Sequence, residues 1–445
     1  MTAAILTLTV LAQGAAPEPA PPPPGGGNAP ALTPAEQAEI QRALQQDAAA
    51  AGTPGAGPAT GQPGAPAAGA ELATPTGAAP ALSLNPDLSL IADVAGSVFS
   101  VPIPLETGEH DPHASGFTVQ ELELAASAAV DPYFRFDSFL VFKVPRPDAA
   151  GNIEPGGVEI EEVYATTTSL PANLQLRAGQ FLTRFGRFNP THPHTWNFVD
   201  QPLIIGELFG PDGNRGVGAE LSYLLPLPFY SEAVFSVTND SAEAINRIGE
   251  LQYLLSLKQF FALSDDWSLA TGISGLTLAP PPPTGIDRTW IAGVDGYLKY
   301  RPVGYGSFTI VSLWVEWFLR RRDLAAPMDT TLTDTGGFAE VFWRYAQRWG
   351  AAARYELGTP SFNSDGVRQG LCPLDANGVP DPQCVVLEEG SVWQRFAVNA
   401  TFWPTEFSRL RLQGSLTLAG VEVKAQYGLM LAFEFAVGAH GAHAF

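Results

Sequence analysis

The feature that most limits the possible folds of this chain is a strict alternation of residue types near its C-terminus. In QYGLMLAFEFAV (426–437), every second residue from Tyr427 to Val437 is large and apolar, and most residues between them are small or polar. SRLRLQGSLTL (408–418) repeats the pattern with leucines against arginine, glutamine, serine and threonine. A period of two is that of a β-strand with one apolar and one polar face. Large apolar residues outside and a polar lumen are typical of a transmembrane β-barrel.

Segments of this kind recur from about residue 86 and are divided by turn signals. We predict strands at 86–101, 116–130, 133–144, 157–169, 173–186, 216–225, 229–239, 250–263, 267–279, 288–301, 307–321, 337–348, 351–358, 391–402, 408–419 and 424–438. Tight connections such as 264–266 alternate with long ones such as 187–215, as short periplasmic turns alternate with long outer loops. The sequence therefore predicts an all-β fold, a transmembrane antiparallel barrel of about 16 strands within 83–445.

Composition supports a membrane location for this barrel. Charged residues are 16% of the chain, against about 25% in soluble domains. After residue 15 no apolar run approaches the ~20 residues of a spanning helix, which leaves a closed barrel as the way to cross a bilayer. The formal net charge of −21 argues against nucleic acid as a partner. The expected partners are outer-membrane lipid, small solutes or ions, and the barrel-assembly machinery.

The N-terminal part has a different character. Residues 1–14 are predicted to be a signal peptide, because AAILTLTVLAQGA (3–15) is a short apolar run ending in small residues. The segment 15–82 is rich in proline, alanine and glycine and is predicted to be a disordered linker. One short helix is expected at 33–50, where Thr33 and Glu36 form a capping box. The chain is therefore expected in the bacterial outer membrane, with this extension in the periplasm.

Two stretches carry a resemblance to known families. LQLRAGQFLTRFGRFNP (174–190), placed before a long third loop, resembles the phosphate-selective porin O/P type of outer-membrane channel. RAGQFLTRFG and HPHTWNFVDQPL, with the end GAHGAHAF, are similar to proteins labelled zinc-regulated TonB-dependent outer membrane receptors. The resemblance covers roughly residues 86–445. It implies a passive or semi-selective channel in which the third loop folds inward as a constriction, and it leaves a homotrimer and a monomer both open.

The period of two also places charged side chains in the lumen. The predicted constriction and selectivity residues are Arg177, Arg187, His192, His194, Asp200, Glu207, Asp212, Glu121, Glu123, Arg344, Arg348, Arg395, Arg409 and Arg411. An arginine-rich wall opposite carboxylates would create a transverse field that favours polar solutes and tunes ion preference. Alternatively, these groups pair with one another and keep the lumen hydrated.

The six histidines occur in three pairs, His110 with His113, His192 with His194, and His440 with His443. His192 and His194 lie two apart in extended chain and can face one ion, with the first pair near the same barrel mouth. Asp111 or Asp200 could complete a site, and Zn, Cu and Ni suit histidine ligands about equally. Alternatively, Pro193 stiffens the loop and the rings bond within it. The last pair follows the final strand, at the opposite end.

The two cysteines, Cys372 and Cys384, are predicted to form a disulfide, because an exported chain meets an oxidising compartment. No nucleophile elbow, zinc-protease motif or phosphate-binding glycine loop appears, so the sequence predicts transport without catalysis. The predicted function is passive diffusion of small hydrophilic or charged solutes, without a cofactor. The alternative is a zinc-linked outer-membrane receptor or uptake channel.

Overall fold

The computed structural model describes residues 86–102, 104–144, 146–147, 153–154, 156–239, 248–279, 286–304, 308–324, 331–359, 392–419 and 425–438. The predicted signal peptide, linker and helix, the disulfide between Cys372 and Cys384, and the pair His440 and His443 lie outside the described residues. Most of the described chain belongs to one β-sheet.

The described residues contain eighteen strands, numbered here in chain order. They are β1 Asp87–Phe99, β2 Gly116–Ala129, β3 Phe134–Lys143, β4 Arg146–Pro147, β5 Ile153–Glu154, β6 Gly157–Thr167, β7 Leu174–Leu182, β8 Arg215–Leu224, β9 Tyr230–Thr238, β10 Gln252–Ala262, β11 Trp267–Leu278, β12 Ile286–Tyr300, β13 Ile310–Leu324, β14 Thr331–Ala346, β15 Trp349–Gly358, β16 Trp393–Thr405, β17 Ser408–Ala419 and β18 Gln426–Gly438. β4 and β5 form a separate two-stranded ribbon, and the other sixteen strands form a closed barrel.

Each barrel strand pairs antiparallel with its neighbours in the sequence, and β1 pairs with β18 to close the sheet. Because the β4–β5 ribbon lies outside the barrel sheet, β3 pairs directly with β6. The predicted all-β fold, an antiparallel barrel of about sixteen strands, is therefore confirmed. Closure leaves no strand edge without a partner, which removes the usual site of edge-to-edge aggregation.

Strand β14 differs from the sequence-based prediction at both of its ends. β14 begins at Thr331, six residues before the predicted start, because the long partner strand β13 pairs with it through Asp323↔Thr331. The strand also ends earlier, at Ala346. Arg348 is therefore an exposed residue of the turn before β15, and its carbonyl accepts a hydrogen bond from Trp403 N at 2.9 Å. The prediction that Arg348 faces the lumen from a strand is wrong.

The outer surface of the barrel carries the large apolar side chains of the alternating pattern. On β18, Leu429, Leu431 and Val437 are 55%, 51% and 62% exposed, whereas Met430, Ala432 and Glu434 between them are buried. Among the described residues, no helix is long and apolar enough to cross a membrane. An apolar surface of this extent requires a cover in place of water.

The core of the protein lies inside the barrel and is supplied largely by the connection between β7 and β8. This connection, residues 183–214, is called the third loop below. It contains a 3₁₀ turn, Pro193–Thr195, and one helix, α1 Leu203–Phe209, which the sequence did not predict. Its apolar side chains pack with lumen-facing side chains of the wall in one buried cluster, which includes Phe188, Trp196, Leu203, Ile204, Leu208, Leu254, Leu276, Ile291, Phe318 and Phe338. The third loop therefore packs against the inner face of the barrel wall.

Candidate functional site

Arginines of the barrel wall hold the extended part of the third loop. Arg409 donates to His194 O and Trp196 O, both at 2.8 Å, and Arg411 donates to Phe198 O at 2.7 Å. Arg354 on β15 donates to Asp200 O at 3.0 Å and to Asp200 Oδ1 at 2.6 Å. Backbone carbonyls in a buried extended segment have no strand partner, so these guanidinium groups take the role of a neighbouring strand.

Arg395 on β16 joins the third loop to the loop between β1 and β2, residues 100–115, which is called the first loop. Its guanidinium donates to both carboxylate oxygens of Glu106 at 2.9 Å, to Leu105 O at 3.1 Å, and to Asp200 Oδ2. Burial raises the pKa of Glu106 well above its usual range, although the charge of Arg395 opposes the rise. Burial also acts to raise the pKa of Asp200, but Arg395 and Arg354 outweigh it and lower that pKa.

Acceptors on the wall bind the amide groups of the same loop. Glu316 Oε1 accepts from the backbone N–H of Arg187 at 2.9 Å and of Phe188 at 2.7 Å. Glu356 Oε2 accepts from Leu203 N at 2.6 Å. Glu316 and Glu356 were missed in the sequence analysis, although their signal was present, because each is a carboxylate in an alternating strand. The loop is thus held by donors and acceptors from several strands.

The remaining predicted residues have separate contacts. Glu207 O accepts from Arg320 at 2.7 Å and its carboxylate accepts from Trp393 Nε1 at 3.2 Å. Arg187 lies over the ring of Tyr297 at 4.1 Å, and Arg344 over that of Trp403 at 4.9 Å. Arg177 pairs with Glu220 at 3.0 Å, and Asp212 lies 3.5 Å from Arg215. Arg395, Arg409 and Arg411 are buried, whereas Arg187 and Arg344 are partly exposed.

A second group of charged residues surrounds His192, at the other side of the loop. His192 Nδ1 lies 3.0 Å from Glu123 Oε2 and 3.2 Å from Glu161 Oε2. Its Nε2 lies 2.9 Å from Glu162 Oε2. The imidazole packs on Phe139 of β3, with ring centroids 4.7 Å apart. Since β3 lies between β2 and β6, the loop histidine meets carboxylates from both flanking strands.

Two β-bulges concentrate these carboxylates. In the β1–β2 register, Asp93 pairs with Glu121 and Val94 with Val119, which leaves Gln120 as an extra residue. In the β3–β6 register, Glu161 is the extra residue between Ile160 and Glu162. A bulge turns two consecutive side chains to one face, and the pairs at both bulges are buried inside the barrel. The segment VEIEEVY (158–164) shows this break in alternation at Glu162.

The other described histidines are His194, His110 and His113, and the first two lie beside the cluster. His194 stacks on His192 with centroids 5.6 Å apart, and its Nδ1 lies 3.8 Å from Glu121 Oε2. His110 Nε2 lies 3.9 Å from Glu161 Oε1. His113 is an exposed residue of the first loop. The contacts of His192 therefore differ from the expected ones, because glutamates of the wall, and neither Asp111 nor Asp200, lie beside it.

Asp111 and Asp200 are engaged elsewhere. Asp111 Oδ2 accepts from Gly108 N at 2.8 Å and its Oδ1 from Gln201 N at 3.0 Å, which braces the two loops together. Burial, reinforced by the charge of Asp200, raises the pKa of Asp111 to about 7. Asp200 pairs with Arg354 and Arg395.

The loop histidines respond differently to this environment. Burial acts to lower the pKa of His192, but the carboxylates of Glu161 and Glu123 outweigh it and hold that pKa well above its usual range. Burial together with the neighbouring charge of His192 lowers the pKa of His194, against the carboxylate of Glu123. His192 can therefore either bridge carboxylates as an imidazolium or give up its proton to a bound cation.

Comparisons with known proteins agree with the fold. No family model matches the sequence. An uncharacterised protein of Aquifex aeolicus (strain VF5) is 27% identical over 413 residues, which cover 81% of this chain and 80% of that protein. OprB of Pseudomonas putida is similar in structure with a TM-score of 0.52 at 9% identity, covering 79% of this chain and 94% of that one. The outer membrane channel DcaP of Acinetobacter baumannii has a TM-score of 0.48 at 13% identity, covering 79% and 97% of the two chains. The likeness to OprB shows the barrel fold alone.

Proposed function

We propose that the protein is a porin-like channel of the bacterial outer membrane, through which small hydrophilic or charged solutes diffuse passively. The support for a membrane location is the exposed apolar outer face of a closed barrel. The support for a channel is the barrel size, because sixteen strands enclose more space than their own side chains fill. The observation that supports the proposal is the third loop, whose side chains pack inside this space and whose backbone is bound by arginines of the wall.

Arginines of the barrel wall bind the backbone of the third loop. Arg409 and Arg411 are 7% and 1% exposed and donate to loop carbonyls. They therefore act as clamps on the loop, and their charges do not face open water. We propose that selectivity belongs to charged side chains that keep partial exposure on the lumen side, Arg187 and Arg344. A narrow passage of this kind would have a small conductance and a preference set by few charges.

Single-channel recording in planar bilayers tests the proposal. The wild-type protein is expected to give small, steady conductance steps. The double variant Arg409→Met/Arg411→Met removes two clamps and should give larger or flickering steps, since the loop can then leave the passage. Arg321→Met is the matched control, because Arg321 is exposed and its described ion pair is with the partly exposed Asp323. Absence of conductance in the wild type and in the double variant would refute a channel.

A zinc-linked receptor or uptake channel is the second candidate function. The specific observation in its favour is the group of glutamates around His192, which joins the wall to the constriction loop. Uptake of radioactive zinc into proteoliposomes tests it. Zinc entry that exceeds the entry of magnesium and falls when His192 is replaced would favour this candidate, and equal entry of both ions would favour the general channel.

A further inference from the structure

We infer that Glu121, Glu123, Glu161 and His192 form a binding site for one divalent transition-metal cation of the zinc or manganese type. Each of the four residues offers a ligand atom, and these atoms lie within 4.8 Å of one another. All four residues are buried, with exposed fractions of 1%, 0%, 7% and 8%. The site joins three parts of the structure, since the glutamates lie on β2 and β6 and the histidine lies in the third loop.

The buried carboxylates of the cluster favour a bound cation. Both carboxylate oxygens of Glu121 are buried without a hydrogen-bond partner among the described residues, and the equally buried Glu123 lies 3.0 Å from His192 Nδ1. An unpaired buried carboxylate is strongly unfavourable, because desolvation is not compensated by a hydrogen bond or an opposite charge. His192 can contribute a single positive charge, and Glu162 adds a further carboxylate beside it. A divalent ion would supply two positive charges between the unpaired oxygens.

The orientation of His192 is that of a metal-binding histidine with a supporting carboxylate. Its Nε2 contacts Glu162 Oε2 at 2.9 Å, and the other oxygen of Glu162 accepts from Leu182 N at 2.7 Å, so Glu162 is itself fixed. Its Nδ1 faces Glu123 and Glu161 and has no hydrogen bond within the described structure. Metal-bound histidines usually donate the second ring N–H to a carboxylate in this way.

The ligand set indicates the kind of metal. Three carboxylates favour a hard cation, and one imidazole adds affinity for first-row transition ions, so zinc and manganese fit better than calcium or copper. His192 Nδ1 lies 3.0 and 3.2 Å from two carboxylate oxygens. Ligands that share an ion at ~2.1 Å stand about 3.0–3.4 Å apart, which agrees with this spacing.

Small cavities border the site beside the third loop. Small cavities beside the third loop are lined by His110, Glu161 and Asp212, so Glu161 contributes to both the cavity wall and the cluster. An ion bound there would connect the third loop to β2 and β6. It would thus add a metal clamp at His192, two residues before the carbonyl of His194 that Arg409 holds.

Isothermal titration of the full-length, detergent-solubilised protein, first treated with EDTA and then given ZnCl₂ or MnCl₂, tests the inference. The wild type is expected to bind one ion per chain, with Ca²⁺ binding at least ten times weaker. Glu121→Gln/Glu123→Gln should weaken Zn²⁺ or Mn²⁺ binding at least tenfold. Glu340→Gln is the matched control, because Glu340 is also a buried carboxylate that contacts the third loop, through Asn197, from another strand. It should retain the wild-type affinity.

A second measurement separates metal binding from misfolding. Because the Glu121 carboxylate has no hydrogen bond in the described structure, Glu121→Gln alone should melt no lower than the wild type without metal. Addition of Zn²⁺ should raise the melting temperature of the wild type and of Glu340→Gln, and not that of Glu121→Gln. If the wild type binds neither ion, or Glu121→Gln keeps the full metal-induced rise, the cluster is instead a protonated histidine bridging carboxylates.

Anomalous scattering from a wild-type crystal soaked in Zn²⁺ should place the ion beside His192 Nδ1, and density elsewhere would overturn the assignment without any variant.

Discussion

Replacing Arg395 with methionine should release the first and third loops from the barrel wall. The methionine side chain keeps much of the volume of arginine but donates no hydrogen bond. The change removes the bidentate contact with Glu106, the bond to Leu105 O and the pair with Asp200. Asp200 keeps Arg354, whereas Glu106 loses its arginine. The perturbation is therefore strongest where the first loop meets the third.

The magnitude follows from burial. Removing one partner of a buried ion pair costs about 3–5 kcal/mol, because the other charge stays desolvated. Arg395 is fully buried, so screening by solvent does not reduce the effect. Since Asp200 retains a second arginine, we expect a loss of stability at the lower end of this range, about 3 kcal/mol. At about 1.4 kcal/mol per factor of ten, this corresponds to a ~100-fold increase in the population of the opened loops.

Hydrogen–deuterium exchange followed by mass spectrometry measures that population. Peptides that cover 100–115 and 195–205 should exchange ~100-fold faster in Arg395→Met, while peptides from β10 and β11 remain at the wild-type rate. The exposed control Arg321→Met should change exchange by less than tenfold, since an exposed pair contributes at most about 1 kcal/mol.

The pH dependence of hydrogen–deuterium exchange tests the same contact between Arg395 and Glu106. Burial raises the pKa of Glu106 and the charge of Arg395 opposes that rise, so loss of Arg395 should raise this pKa further. The difference in exchange between wild type and variant should therefore shrink as the pH falls and grow as it rises. Equal exchange in the two proteins at neutral pH, or a difference that grows in acid, would refute the clamp.

The remaining predictions concern the loop entry and the selectivity of the passage. Gly186 has φ of +58°, and a Cβ there would meet the carboxylate of Glu316, so Gly186→Ala should lower stability by about 1–2 kcal/mol and the melting temperature with it. Gly157→Ala, where a Cβ meets nothing within 4 Å, should leave the melting temperature nearly unchanged. Arg187→Ala should shift reversal potentials towards cations, whereas Arg348→Ala in the exposed turn should not, and an equal shift in both would contradict the assignment.

Much of the barrel could be predicted because strand pairing leaves a local signature. A residue on β17 or β18 faces either the lumen or the outside according to its parity, so alternation alone shows both the strand and the direction of each side chain. The ends of β14 were less predictable, because Gly336 and Gly337 indicate a turn when read locally. The neighbouring strand β13 extends past them and pairs with residues as far as Thr331.

The helix α1 and the contacts of the third loop were beyond sequence reasoning. Leu203–Phe209 is only seven residues long and apolar on nearly all sides, and such a segment is stable as a helix only where a cavity surrounds it. Parity places Arg395 in the lumen, but it does not distinguish an arginine that lines water from one that binds a carbonyl. That distinction depends on how far the loop enters the barrel.

The sequence by itself determined the period of two, the number of strands and the inward direction of Glu121, Glu123 and Arg411, because each depends on residues adjacent along one strand. Only the tertiary structure decided which of these groups meet. The sheet sets β2, β3 and β6 side by side, the bulge in β6 turns an extra carboxylate inward, and the third loop brings His192 among them. These contacts join residues distant in the chain, so their energies depend on a geometry that no single segment encodes.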